Sequence, residues 1–177
     1  MILTLSSGGY RYLLTAIDEV SKMAYARLYS THSSRNAKDF LARLNYLTDQ
    51  KVVNIHSDNG SEFKKEFEEA CIALKIPQWY SRPHTPKDNS VLERFNRTIQ
   101  EEFVEMADID HYFIPEFNQA LTDWLIEYNF RRPHQTLDYK TPLQYLDDYY
   151  KVLPMYSSST ALCFLTNLLL LSCPCCY

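Results

Sequence analysis

Apolar positions come first in short runs and later at helical spacing. Met1–Leu5 is a short apolar stretch followed by Ser-Ser-Gly-Gly, a hairpin turn signal. Tyr10–Ile17 reads as a second strand, rich in Tyr, Leu, Thr and Ile. Asp18-Glu19 and Ser21-Lys22 interrupt it, and Met23–Tyr29 reads as a third. Ser33 or Ser34 is placed to cap a helix reaching about Asp49, with Ala37, Phe40, Leu41, Leu44 and Leu47 on one face. Val52–Ile55 reads as a short buried strand. A helix is expected from Ser61, as its N-cap, to Leu74, with Phe63, Phe67, Ala70, Cys71 and Leu74 inward. Ile76–Tyr80 is a brief strand. Ser81–Asn89 is a loop, because Pro83 and Pro86 lack N–H groups and restrict their neighbours.

Asp88 or Asn89 is then placed to cap a helix whose Leu92, Phe95, Ile99, Phe103 and Met106 should face the core. Glu93, Arg97 and Gln100 share a neighbouring face. A further helix over 115–130 carries Phe117, Ala120, Leu121, Trp124, Leu125 and Tyr128 as its stripe. Arg131-Arg132-Pro133-His134 makes a turn before a short helix near 142–150. The order βββ-α-β-α-β-α-α predicts a mixed α/β sheet with helices on both sides. From Ser157 the character changes to an apolar, Cys-rich tail. Its apolar run of about a dozen residues falls short of the roughly 20 that a spanning helix needs, and no membrane partner is expected.

Composition changes this picture in two ways. The 177 residues suffice for one sizeable core. The net charge of −4 means that any grip on nucleic acid must come from a local basic patch, since phosphate contacts need clustered Lys and Arg. Of five Cys only Cys71 lies in the body of the chain, so no disulfide framework is implied and a cytoplasmic location is expected. Cys173, Cys175 and Cys176 have poor zinc spacing.

The chemistry concentrates between Asn54 and Glu102. There N-I-H-S-D-N-G-S-E-F delivers Asp58 to a turn at Asn59-Gly60, and after thirty-four intervening residues Glu93 lies near the start of a helix. An acid at a strand end and an acid on a helix can together bind a divalent cation. Taken alone, Asp58 is also an ordinary turn residue, and Glu93 an ordinary first-turn acid favoured by the helix dipole. Arg82, His84, Lys87, Arg94 and Arg97 form the one concentrated basic region, beside Glu93. They suit a solvated helix face or contact with a DNA backbone. Arg131, Arg132 and His134 suit DNA contact or simple bracing of their turn. His56 reads as structural.

H-S-D-N-G-S-E-F at 56–63, P-K-D-N-S-V-L-E-R-F-N-R-T at 86–98, Y-N-F-R-R-P-H-Q-T-L at 128–137 and T-P-L at 141–143 together resemble the catalytic core of retroviral-type integrases and bacterial insertion-sequence transposases. The resemblance covers residues 1–150, leaving 151–177 as an atypical tail. It implies a ribonuclease H-like α/β fold and a three-acid site that cuts and joins DNA strands with two Mg²⁺ or Mn²⁺ ions. Asp58 would be the second acid and Glu93 the third, both metal ligands. Lys87, Arg94, Arg97, Gln100, Arg131, Arg132 and His134 would meet DNA. Partners implied are transposon ends, target DNA, and a second copy or an intact transposase.

The first acid has no match, since no Asp or Glu precedes Asp18. Asp18 resembles the family's residue at the end of the second strand and serves as ligand only as a substitute. The expectation is a chain that begins just after the first catalytic Asp, with a shortened first strand, and an in-frame Asp a few codons upstream would bear it out. Three readings follow: a transposase core impaired by loss of that acid, a catalytically inactive remnant that binds DNA or dimerises, and a nuclease of the same fold.

Overall fold

A computed structural model describes residues 1–4, 8–81, 90–106 and 111–152, with side chains described as far as Tyr149. Strand β1 (Ile2–Thr4) pairs antiparallel with β2 (Tyr10–Ile17), which pairs antiparallel with β3 (Ala24–Tyr29). The main chains of Met1 and Leu13 exchange hydrogen bonds of 2.9 Å and extend the first ladder by one pair. Gly8 and Gly9, with φ of 82° and 110°, let the chain turn between β1 and β2. Strands β4 (Ile55–Ser57) and β5 (Gln78–Tyr80) pair in parallel as a second, two-stranded sheet. The architecture is therefore mixed antiparallel and parallel strands flanked by helices. Among the described residues no helix is long and apolar enough to cross a membrane.

Alternation along β2 feeds two cores. Leu13 is fully buried with Leu3, Ala26 and Leu28 beneath Phe95, Ile99, Phe103, Phe117, Leu121 and Leu125. Leu14 packs instead toward Ala37, Leu41, Phe67, Cys71 and Ile76. A sheet with one helix layer on each face accounts for both. Helix α1 (Ser34–Leu47) starts where expected, because the Ser33 side chain accepts from the Asn36 N–H.

The expected helix from Ser61 is broken. Ser61–Phe63 forms a single 3₁₀ turn, Lys65 takes a φ of 51°, and α2 runs over Glu66–Ala73. Ser34 bridges the break: its hydroxyl donates to the Lys64 carbonyl and accepts from the Phe67 N–H at 3.0 Å. Buried Ser34 thus caps α2 across space, a role no local pattern reveals. Strand β4 also begins later than the apolar run suggests. Its three residues are those that face β5, while Val53 stays 78% exposed.

Helix α3 (Ser90–Ile99) continues as a π-helical segment, Gln100–Val104, and α4 (Ile114–Ile126) likewise continues as Glu127–Arg131. Each π segment advances the register more slowly than 3.6 residues per turn. That is why Val104 is buried and Met106, expected in the core, is 79% exposed. A short 3₁₀ turn (Gln135–Leu137) leads to α5 (Pro142–Val152).

Two buried asparagines seat α4 on the sheet. The Asn118 side-chain amide accepts from the Leu28 N–H at 2.8 Å and donates to the Leu28 carbonyl at 3.0 Å. Asn129 does the same to Ala24, at 2.9 and 2.8 Å. Each amide occupies an edge position of β3 as a neighbouring strand would. Asn118→Leu or Asn129→Leu leaves one N–H and one C=O buried without partners. Each substitution should destabilise the fold by about 1–3 kcal/mol, read as a lower urea midpoint.

Candidate active site

Asp58 sits at the turn immediately after β4. Its Oδ1 accepts from the Gly60 N–H at 3.0 Å, an Asx-type turn. The following strand end holds the turn from the other side. The Ser81 N–H donates to the Ser57 carbonyl at 2.9 Å, and Ser81 Oγ lies 3.3 Å from His56 Nε2. Asp58 is exposed, so its second oxygen faces solvent or a ligand without the cost of burying a charge.

Behind the turn lies Glu62, a carboxylate that the sequence reading passed over. It is only 7% exposed. Oε1 lies 2.7 Å from His32 Nε2, and the His32 ring stacks on Tyr12 at 5.0 Å and 22°. The signal was present inside S-D-N-G-S-E-F, four residues past Asp58, but a charged residue among turn formers reads as surface. Gly60 packs directly on this carboxylate. A Cβ at Gly60 would stand 2.3 Å from Glu62 Oε2. The α-ammonium of Met1 also faces the pair. Burial lowers its pKa, opposed by the charge of Glu62 and then of Asp58.

Glu93 lies exposed on the first turn of α3. Two contacts fix that helix near the sheet: the buried Phe95, and the Thr15 hydroxyl, which donates to Asn96 Oδ1 at 2.7 Å. Asp58 and Glu62 line a broad cleft together with Ser90, Val91, Leu92 and Asn96 of α3. Asp18 lines the same cleft, but its carboxylate is engaged locally. Its Oδ2 accepts from the Ser21 N–H at 2.6 Å and the Ser21 hydroxyl at 2.7 Å, closing the β2–β3 turn. Among the described residues no three His, Cys, Asp or Glu side chains gather as a metal-holding group, so Asp18, Asp58 and Glu93 do not form one array.

Arg94 and Arg97 are exposed on α3. Gln100 is half-buried and donates to Glu105 Oε1 at 3.2 Å. Arg131 pairs with Glu127 at 3.1 Å, and Arg132 holds both oxygens of Glu102, one at 2.8 Å. His134 stands edge-on to the Tyr128 ring at 4.8 Å, and its main-chain N–H donates to the Lys140 carbonyl at 3.0 Å. These three residues brace the turn between α4 and α5. Lys87, Arg82, His84, the Asp88 and Asn89 caps, and the Cys-rich tail lie outside the described residues.

Two family models, each described as an integrase core domain, match residues 2–86 and 74–142. Together they span the strands, the Asp58 turn, Glu93 and the Arg131–His134 turn. The chain belongs to the integrase core family of retroviral-type integrases and DDE transposases. It is 36% identical over 104 residues to the retrovirus-related Pol polyprotein of transposon TNT 1-94 from Nicotiana tabacum, a match covering 57% of this chain and 8% of that protein. It is 26% identical over 155 residues to a putative integrase, ORF3, of Spiroplasma virus SpV1-C74, covering 77% of this chain and 42% of that one. The chain thus spans less than half the length of either relative. Its fold is similar to a chain of the simian T-cell lymphotropic virus intasome in complex with PP2A regulatory subunit B56 gamma, with a TM-score of 0.68 and 21% identity over 81% of this chain and 50% of that one. Membership links this integrase-core chain to enzymes of DNA integration and recombination, on a ribonuclease H-like fold.

Two outcomes test this geometry. Gly60→Ala forces the buried Glu62 carboxylate aside and should cost about 1–3 kcal/mol, read by urea denaturation. Burial lowers the His134 pKa below its ordinary 6.5, against an opposing hydrogen bond to the Tyr128 carbonyl. The unfolded chain therefore binds the proton first as pH falls, and stability is lost from pH 6.5 downward to the folded value. His134→Gln should flatten that part of the pH–stability curve.

Proposed function

We propose that this chain is a transposase-type core whose Asp58 and Glu93 serve as Mg²⁺ or Mn²⁺ ligands for DNA strand cleavage and transfer. The observation that carries the reading is the Asp58 turn. Its carboxylate is exposed, oriented by the Gly60 N–H, and placed at a strand end within the 2–86 stretch that one integrase core model matches. Hard carboxylate oxygens fit Mg²⁺, which takes few protein ligands and completes its shell with water and phosphate. The metal would supply charge stabilisation at the attacking and leaving oxygens of the phosphodiester. This chain's residues would orient that charge: Asp58 through its turn, and Glu93 through the seat of α3 on Thr15 and Phe95.

Arg94 and Arg97, exposed on the Glu93 helix, are the residues proposed to meet the DNA backbone. Lys87, Gln100, Arg131, Arg132 and His134 are proposed in the same role, the last three after release from their internal partners. A second copy or an intact transposase is the proposed protein partner, and the reaction would take place in the cytoplasm.

The absence of a gathered three-acid array among the described residues favours a second reading, a catalytically inactive core that binds DNA or dimerises. Mg²⁺- or Mn²⁺-dependent joining of labelled DNA ends separates the two. On the first reading, Asp58→Asn and Glu93→Gln each lower joining by at least about 100-fold, several kcal/mol of charge stabilisation. Joining that survives Asp58→Asn overturns it. DNA binding without joining by the unaltered chain supports the second. On either reading, Arg94→Glu with Arg97→Glu should weaken DNA binding and reduce its salt dependence by a slope of about two.

A further inference from the structure

Glu62 is unexplained by packing or by the family's expected acids. Its side chain is 9% exposed, and Oε2 is buried with no hydrogen-bond partner among the described residues. A buried carboxylate oxygen left unpaired is costly. Oε1, by contrast, is engaged by His32 at 2.7 Å, and the Tyr12–His32 stack fixes the direction of that ring. One oxygen is held and the other is aimed.

The aimed oxygen borders the Asp58 turn. Gly60 donates its N–H to Asp58 Oδ1 at 3.0 Å, and a Cβ on the same residue would lie 2.3 Å from Glu62 Oε2. The two carboxylates therefore meet at one glycine: its N–H binds Asp58, and its missing side chain leaves the room that the Glu62 carboxyl fills. Two like charges this close to one residue ask for a cation, and a small, hard dication meets oxygen donors best.

We propose that Glu62 Oε2 is a direct ligand of a divalent cation shared with Asp58, with His32 as the positioning residue that orients the carboxylate through its other oxygen. In metal sites the atom opposite the donor is commonly held by a hydrogen-bonding side chain, as His32 holds Oε1 here. This inference rests on Asp58 as a cation ligand, and it adds to that reading a donor from the 3₁₀ turn rather than from a strand or from α3.

Mn²⁺ binding to the full chain, stripped with EDTA and followed by calorimetry and by the electron paramagnetic resonance of free Mn²⁺, tests it without any activity assay. Glu62→Asp is the decisive variant, because it keeps the charge and withdraws the oxygen. Melting in EDTA checks that each variant is folded. The expected result is a loss of Mn²⁺ affinity of about tenfold or more in Glu62→Asp and in Glu62→Gln, with a smaller loss in His32→Ala. Wild-type affinity in Glu62→Asp together with loss in Asp58→Asn overturns the proposal, leaves Glu62 as a partner of His32 alone, and spares the reading of Asp58. Affinity unchanged in Asp58→Asn overturns both. Should Glu62→Asp not fold, His32→Ala carries the same test: unchanged Mn²⁺ affinity there removes the positioning role, and an unchanged value in Glu62→Gln removes the ligand.

Discussion

The structure depends first on how the outer edge of β3 is closed. An exposed strand edge leaves N–H and C=O groups open to water or to a stray strand. Here Asn118 and Asn129, eleven residues apart on one helical run, each supply a donor and an acceptor to that edge. The helix that carries them is thereby fixed in distance and rotation against the sheet. Its apolar stripe then meets α3, and Phe95, Phe103, Phe117, Trp124 and Tyr128 form a connected aromatic layer. The face of α3 opposite that layer carries Glu93, Arg94 and Arg97.

The second constraint is the way the Asp58 turn is built. β4 is only three residues long, and its parallel partner β5 is equally short. Such a pair cannot hold a turn rigid by itself. Rigidity comes instead from the side chains around it: Ser81 from the end of β5, Gly60 closing on Asp58, and Glu62 anchored to His32, whose ring stacks on Tyr12 of β2. The site therefore joins the two sheets, and its geometry responds to residues that touch no DNA.

The two π-helical segments show how a functional helix and a core helix share one chain. Each lies at the C-terminal end of its helix, in α3 after Ile99 and in α4 after Ile126. The slower register keeps Phe103 and Val104 buried in one, and Tyr128 and Asn129 in the other. Without the second π segment, Asn129 would rotate away from Ala24. The turn that follows is then closed by His134 against Tyr128, and the Arg132–Glu102 pair ties the end of α4 back to the end of α3.

Much of this was legible in the sequence. Period-two and period-3.6 patterns located β2, β3, α1, α3 and α4, because each buries one apolar face against a single layer. The spacing of Asp58, Glu93 and the Arg-Arg-Pro-His turn identified the family, because a strand-end turn and a helix start fix those residues locally. What the sequence left open were contacts made across space. Ser34 as the cap of α2, the Asn amides on β3, Asn96 on Thr15 and Glu62 on His32 all join residues thirty or more positions apart. Polar residues of that kind carry no period, so nothing along the chain marks them as buried. The local pattern determined which elements form and which family the chain belongs to. Only tertiary packing decided which polar side chains are interior, since their burial depends on a partner that sequence distance conceals.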